Sequence, residues 1–251
     1  MPTQYLDLDG YLATKSLSLS QLTAYLDELV DLTRVEGAYV TGSIAEGHGT
    51  ISSDLDITVV LPVSNPTDFE VRNRFFQSVR VDIEFINQRV VDRIQRVLET
   101  MDFEDIHQNF QEIDVGPGLR KEGVLECIGR MLNGRALKPN RTTEAIGQQG
   151  MYRYLGHLSR LYSENLYEDV LGFLDSNDTV SAGKQSLQLL DQIYMTKLLA
   201  QQIYIDRQKW VPFFLSRHRP DDYLRYLEAL RELPLGDGVD GVLRLADEVL
   251  S

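Results

Sequence analysis

Ala38-Tyr39-Val40-Thr41-Gly42-Ser43 is followed, after ten residues, by Asp54-Leu55-Asp56-Ile57-Thr58-Val59-Val60-Leu61-Pro62. The first run opens after Gly37, is rich in β-formers and stops at a Gly-Ser pair, which predicts a short strand. The second is dominated by β-branched residues and ends at proline, which predicts a longer one. A third run, Val79-Arg80-Val81-Asp82-Ile83-Glu84-Phe85-Ile86, alternates apolar and charged residues, the signature of a half-buried strand. Asn65-Pro66 breaks the chain between the second and third runs, and the spacing over Asp68–Ser78 predicts a connecting helix.

Working outward, Leu22, Leu26, Leu29 and Val30 recur at helical spacing, which predicts a helix over Leu19–Leu32. Beyond Gln88 the periodicity is helical throughout. It is carried by Val90, Val91, Ile94, Val97-Leu98, then Val124, Cys127-Ile128, Met131-Leu132, then Leu187 to Leu199 and Leu224 to Leu230. No second strand cluster is expected. The fold class is α+β: an N-terminal α/β domain with a small mixed sheet over residues 1–100, then an all-helical domain over 101–251. Lys138-Pro139-Asn140 reads as a break between helices, and Pro234 with Gly236-Asp237-Gly238 as a late turn.

The 251 residues are 43% hydrophobic and 25% charged, close to the globular average, so a core can form and wholesale disorder is excluded. There is no repeat and no apolar run long enough to cross a bilayer. Met1-Pro2-Thr3-Gln4-Tyr5 has neither a basic end nor an apolar stretch, so no export signal is expected. The single cysteine, Cys127, cannot form an internal disulfide and reads as a small core residue, which fits a cytoplasmic protein. A net charge of −13 argues against a long nucleic-acid footprint, whose affinity comes from Lys and Arg on phosphates. It leaves room for a nucleoside triphosphate held locally by metal ions.

The chemistry centres on the acids. Side chains at i and i+2 of a strand share a face, so Asp54 and Asp56 stand close together and repel unless a cation lies between them. Carboxylate oxygens suit hard divalent ions such as Mg²⁺. If the third strand lies beside the second, Asp82 completes the cage, and three acids can hold two ions that clamp a phosphoryl displacement. Glu84 shares the face of Asp82 and competes for the third ligand position, or acts as the base toward an acceptor. Gly42 permits a close backbone approach and a positive φ, and Ser43 adds a hydroxyl donor. Lys184, Lys197 and Lys209 are candidate phosphate contacts from the helical half.

Gly42-Ser43, the ten-residue gap, Asp54-x-Asp56 and the later strand acid together resemble the nucleotidyltransferases of the DNA polymerase β-like superfamily. The chain looks most like its small bacterial members that modify antibiotics such as aminoglycosides and lincosamides. Ser53 before Asp54 matches the Ser-Asp-x-Asp form found there, and Lys209-Trp210 resembles a Lys-Trp pair of some relatives. The resemblance covers about residues 38–86. It implies transfer of a nucleoside monophosphate from an NTP co-substrate to a hydroxyl of a small molecule, releasing pyrophosphate with two Mg²⁺ ions. It assigns Gly42, Ser43, Ser53 and Lys209 to the nucleotide, Asp54, Asp56 and Asp82 to metal, and those acids with Glu84 to catalysis. Glu46 departs from the pattern, since many members carry Arg there. The expected site is a cleft between the two domains.

Other readings compete. The same chemistry could act on a protein side chain; a silent nucleotide-binding module has no need of three acids; a sugar transferase also uses Asp-x-Asp. His48 reads as a solvent-facing loop residue, and His107, His157 and His218 lack metal-ligand spacing. Phe213-Phe214 with Trp210 reads as core. Asp221, Asp222, Glu228, Glu232 and Asp237 read as solvated surface acids.

Overall fold

The computed structural model describes residues 5–103, 112–233 and 238–250. His107, Pro234, Gly236 and Asp237 lie outside the described residues. The chain forms two compact units, Met1–Gly150 and Met151–Ser251.

In the first unit, α1 (Leu8–Thr14) is capped by Asp7, whose side chain accepts from Gly10 N. α2 (Leu19–Val30) opens on a reciprocal cap: Ser18 Oγ accepts from Gln21 N, and Gln21 Oε1 accepts from Ser18 N. It ends where Asp31 turns left-handed, φ 51°. Leu22 and Leu26, one turn apart, are fully buried, each contributing roughly 1.5–3 kcal/mol by leaving water. The chain continues through β1 (Gly37–Thr41), a single turn α3 (Gly42–Ala45), β2 (Leu55–Leu61), β3 (Phe69–Phe76), β4 (Val79–Asn87), α4 (Gln88–Thr100), α5 (Lys121–Asn133), β5 (Arg135–Lys138) and α6 (Arg141–Ile146).

The five strands form one mixed sheet in the order β3-β4-β2-β1-β5. β2 and β4 run parallel, and every other pair is antiparallel. One face carries Ala38, Val40, Leu55, Ile57, Val59, Val79, Val81, Ile83 and Phe85, packed with Tyr11, Leu12, Leu22 and Leu26 into a continuous core. The opposite face carries the alternate residues. It is apolar at Val60 and Ile86, both fully buried, and polar toward the start of β2. α5 packs on β1, and α4 on β4 and α6.

Three expectations are corrected. The segment 68–78 is the edge strand β3, not a helix. Its residues pair one for one with β4, from Phe69 with Ile86 to Phe76 with Val79, across a tight turn in which Gln77 takes φ 54°. A second strand region exists: β5 pairs with β1 through Ala136 and Tyr39. Asn140 is therefore not a break between helices. It follows β5 and caps α6, its Oδ1 accepting from Thr143 N at 2.9 Å. The first unit, Met1–Gly150, also contains α5, β5 and α6.

The second unit holds most of α7 (Gln148–Asp175), then α8 (Thr179–Ala200), a 3-10 turn (Gln208–Trp210), α9 (Val211–His218), α10 (Pro220–Glu232) and α11 (Gly238–Leu250). A buried polar seam joins α7 to α8. Ser159 and Thr196 hydroxyls meet at 2.8 Å, and Gln192 Nε2 donates to Ser159 Oγ at 2.7 Å. α11 packs on α8, and α10 on α9 and α11. Phe213 and Phe214 are buried, as expected. Asp222 is not a solvated helix-start acid. It is buried at the first turn of α10, where Lys197 Nζ donates to it at 2.6 Å and Arg219 Nε lies 3.0 Å away. Among the described residues no helix is long and apolar enough to cross a membrane.

Candidate active site

Strand register places the sequence-selected acids in rows across the polar end of the sheet. Paired residues of neighbouring strands share a face, with strands about 4.8 Å apart. Thr41 of β1 pairs with Asp56 of β2, Asp56 with Asp82 of β4, and Asp82 with Asn73 of β3. The row beneath reads Tyr39, Thr58, Glu84 and Val71 by the same register. Asp54 precedes β2, so it stands at the outer rim with Arg80, which pairs with Phe75. Asp56 and Asp82 are thus side by side, as the neighbouring-strand argument requires.

Gly42 closes the row at its β1 end. It takes φ 69°, and a Cβ there would lie 2.9 Å from Asp56 Cγ and closer still to Oδ2. The absent side chain is the space that the Asp56 carboxylate fills. Ser43 is half-buried in the single turn that follows, where its carbonyl accepts from His48 N at 2.9 Å. Ser53 sits in a tight turn before Asp54. Its hydroxyl accepts from Thr50 N at 2.9 Å, and its carbonyl accepts from the Tyr11 hydroxyl at 2.7 Å. Tyr11 was not singled out in the sequence. It is buried on α1 and fixes the residue before Asp54; burial, then the Asp54 charge, raise its phenol above the ordinary range. The apolar spacing of Leu8, Tyr11 and Leu12 marks it as core, which hides its polar tip.

His48 is not a solvent-facing loop residue. It is 1% exposed, with Nδ1 3.9 Å from the Glu46 carboxylate, because the loop is drawn inward by the bridge between Leu6 and Gly49. Glu46 is itself shielded, so it is part of the loop's interior.

Glu84 faces away from solvent under α5. Thr58 Oγ1 lies 3.4 Å from its Oε2, and Arg130 Nη1 3.5 Å from its Oε1; Arg130 also pairs with Glu126. Burial raises its carboxyl above the ordinary range, while Arg130 pulls it back. Cys127 lies against the same group, its Sγ 3.9 Å from Thr58 Oγ1. The structure brings Asp54, Asp56 and Asp82 to one rim and leaves Glu84 one row deeper, in an ion-paired pocket.

Among the described residues, Arg80 is the positive side chain that pairs with Asp54 and Asp82. Its Nε and Nη2 lie 3.1 and 3.2 Å from the two Asp82 oxygens, and its Nη1 lies 3.5 Å from Asp54 Oδ2. Among the described residues no group of three or more His, Cys, Asp or Glu side chains converges as a metal cage. The donors nonetheless fit a hard divalent ion: adjacent carboxylates on rigid strands, one of them seated against glycine. Lys209 lies in the second unit with its ammonium 4.8 Å over the Trp210 ring. Lys197 is held by Asp222, and Lys184 is exposed.

No curated protein matches the chain. Among solved structures it is similar to a nucleotidyltransferase-like protein from Exiguobacterium sibiricum 255-15. The two are 14% identical with a TM-score of 0.48, over 96% of this chain and 74% of that one. Residues 19–117, which span the whole acid row and the glycine beside it, match the family model described as a nucleotidyltransferase domain.

Proposed function

We propose that the protein is a Mg²⁺-dependent nucleotidyltransferase that moves a nucleoside monophosphate from an NTP to a hydroxyl of a small molecule, with pyrophosphate leaving. The observation that carries this reading is the row Thr41–Asp56–Asp82, with Gly42 packed against Asp56, inside the segment that matches a nucleotidyltransferase domain.

Asp56 and Asp82, with Asp54 at the rim, would hold the ions, which supply charge neutralisation at the attacking and leaving oxygens. Gly42 and Ser43 take the polyphosphate end, with Ser53 at the turn before Asp54 as a further nucleotide contact. In-line displacement sets the entering hydroxyl opposite the leaving group. With the polyphosphate at the β1 end of the row, the acceptor enters from the β3 end, past Asn73 and the exposed Phe75. The strands keep the acids from reorienting as charge develops, which is where such sites gain most of their rate. Glu84 acts from below: its pairing with Arg130 fits a positioning role under the row better than contact with the acceptor. The acceptor class is compact and hydroxyl-bearing, as for the antibiotic-modifying members of the superfamily, and the setting is the cytoplasm, where Cys127 stays reduced.

The test is incubation of the protein with each α-labelled NTP, Mg²⁺ and a panel of hydroxylated metabolites, scored by acceptor mass shift and by pyrophosphate. Asp56→Asn is expected to lower pyrophosphate release by about 1,000-fold or more. Equal release from wild type and variant would reject the site. Label appearing on a polypeptide would move the acceptor from small molecule to protein.

A further inference from the structure

Arg80 stands on β4 two residues before Asp82, so the two side chains share a strand face. Its guanidinium spans the acids, gripping both oxygens of Asp82 at 3.1 and 3.2 Å and reaching Asp54 at 3.5 Å. We infer that Arg80 is a resident counter-cation of the acid row: it neutralises Asp54 and Asp82 when no divalent ion is present, and it turns off them when one binds. This rests on the nucleotidyltransferase reading and concerns how that site is loaded.

Three observations support the assignment. Arg80 engages both Asp82 oxygens at once, so a metal ion cannot share that carboxylate without facing a positive charge at contact distance. The same guanidinium reaches Asp54 Oδ2, so one side chain ties the acid before β2 to the acid of β4. The Arg80 side chain is 46% exposed at the rim, beside the exposed Phe75, so it has open solvent to move into. Neutralisation by Arg80 also answers the repulsion that acids crowded at one strand end would otherwise suffer. Lysine would not serve equally, because its compact ammonium lacks the planar fork that meets both oxygens of one carboxylate while a further nitrogen reaches a second acid.

The measurement is Mn²⁺ affinity of the full chain without nucleotide, read from the electron paramagnetic resonance signal of free Mn²⁺. Wild type is compared with Arg80→Gln, Arg80→Lys and Asp56→Asn. Arg80→Gln is expected to bind Mn²⁺ about fivefold tighter or more than wild type, because the competing cation is gone. Arg80→Lys is expected to lie between the two, and to carry the comparison should the glutamine variant not fold. The rise in melting temperature on adding Mn²⁺ should follow the same order, since an ion that binds only the folded chain stabilises it according to its affinity. Equal or weaker Mn²⁺ binding in both Arg80 variants, with Asp56→Asn weakening it, overturns the role of Arg80 while the site reading stands. Absence of Mn²⁺ binding in wild type and every variant overturns both.

Discussion

At Gly42 a single missing side chain joins backbone geometry to chemistry. The residue adopts φ 69°, and its would-be Cβ overlaps the Asp56 carboxylate. Gly42→Ala therefore adds backbone strain to a steric clash, and a cost of about 2 kcal/mol is expected from urea unfolding. Pyrophosphate release should fall further than stability, by about 100-fold, because the Asp56 carboxylate must move. Asp191 shows a titration effect far along the chain. It accepts a hydrogen bond from the Tyr226 hydroxyl at 2.8 Å, and burial raises its carboxyl above 3.8, with Tyr226 opposing. A folded-state value above the unfolded one favours the protonated form. The stabilisation is thus complete below about pH 3.8 and is lost as pH rises through the folded value. Asp191→Asn should therefore gain on wild type as pH climbs above about 3.8, its urea midpoint moving ahead. The placement of Asp54, Asp56 and Asp82 at one end of the sheet, beside the turn at Gly42, was legible because the spacing that sets it is short. His48 was not. Whether a loop imidazole is wet or dry depends on where the loop folds back, and the Leu6–Gly49 bridge that decides it joins distant parts of the chain.

At the scale of elements, the hinge between β4 and α4 is held by Asn87. Its amide donates to the carbonyls of Pro62, Asn65 and Thr67, and its Oδ1 accepts from Arg89 N at 3.0 Å as the cap of α4. Fully buried, it ties the loop after β2 to the end of β4. Asn87→Ala is expected to cost about 2–3 kcal/mol in urea titration, from a lost cap and unpaired loop carbonyls. Asn87→Asp should cost at least as much, since it keeps the cap oxygen but sets a buried charge among three carbonyls. The central strands were readable because both faces of β2 and one face of β4 are buried, which imposes an apolar pattern. β3 was not, because it is an edge strand whose side chains are largely exposed, including Val71 and Phe75. Exposure relaxes the alternation, and the residues that remain fit a helix as well as a strand until β4 is present to pair with them. β5 is four residues long and half-exposed, with too little pattern of its own.

For the molecule as a whole, the charge of −13 sets what can approach it. Binding of unspecific DNA or RNA oligonucleotides should be no tighter than about 10 µM at about 0.15 M salt by fluorescence anisotropy, since phosphate-driven affinity needs a basic face. Under the proposed function a small metal-bound triphosphate would escape this repulsion, because cations at the acid row would meet its charge. A change from mixed to helical periodicity near Gln88 is real, yet α5, β5 and α6 still belong with the sheet. Their allegiance is decided by β5 completing the strand order beside β1, a pairing between residues about a hundred positions apart. Cys127, finally, is wholly enclosed between β2 and α5, and burial followed by the Glu84 charge holds its thiol well above the ordinary range. It therefore offers no reactive thiolate to maleimides. A cysteine introduced at exposed Phe75 or Val180 would take a dye alone, so the native sequence is already a single-address scaffold for fluorescent tagging, with nothing to remove first.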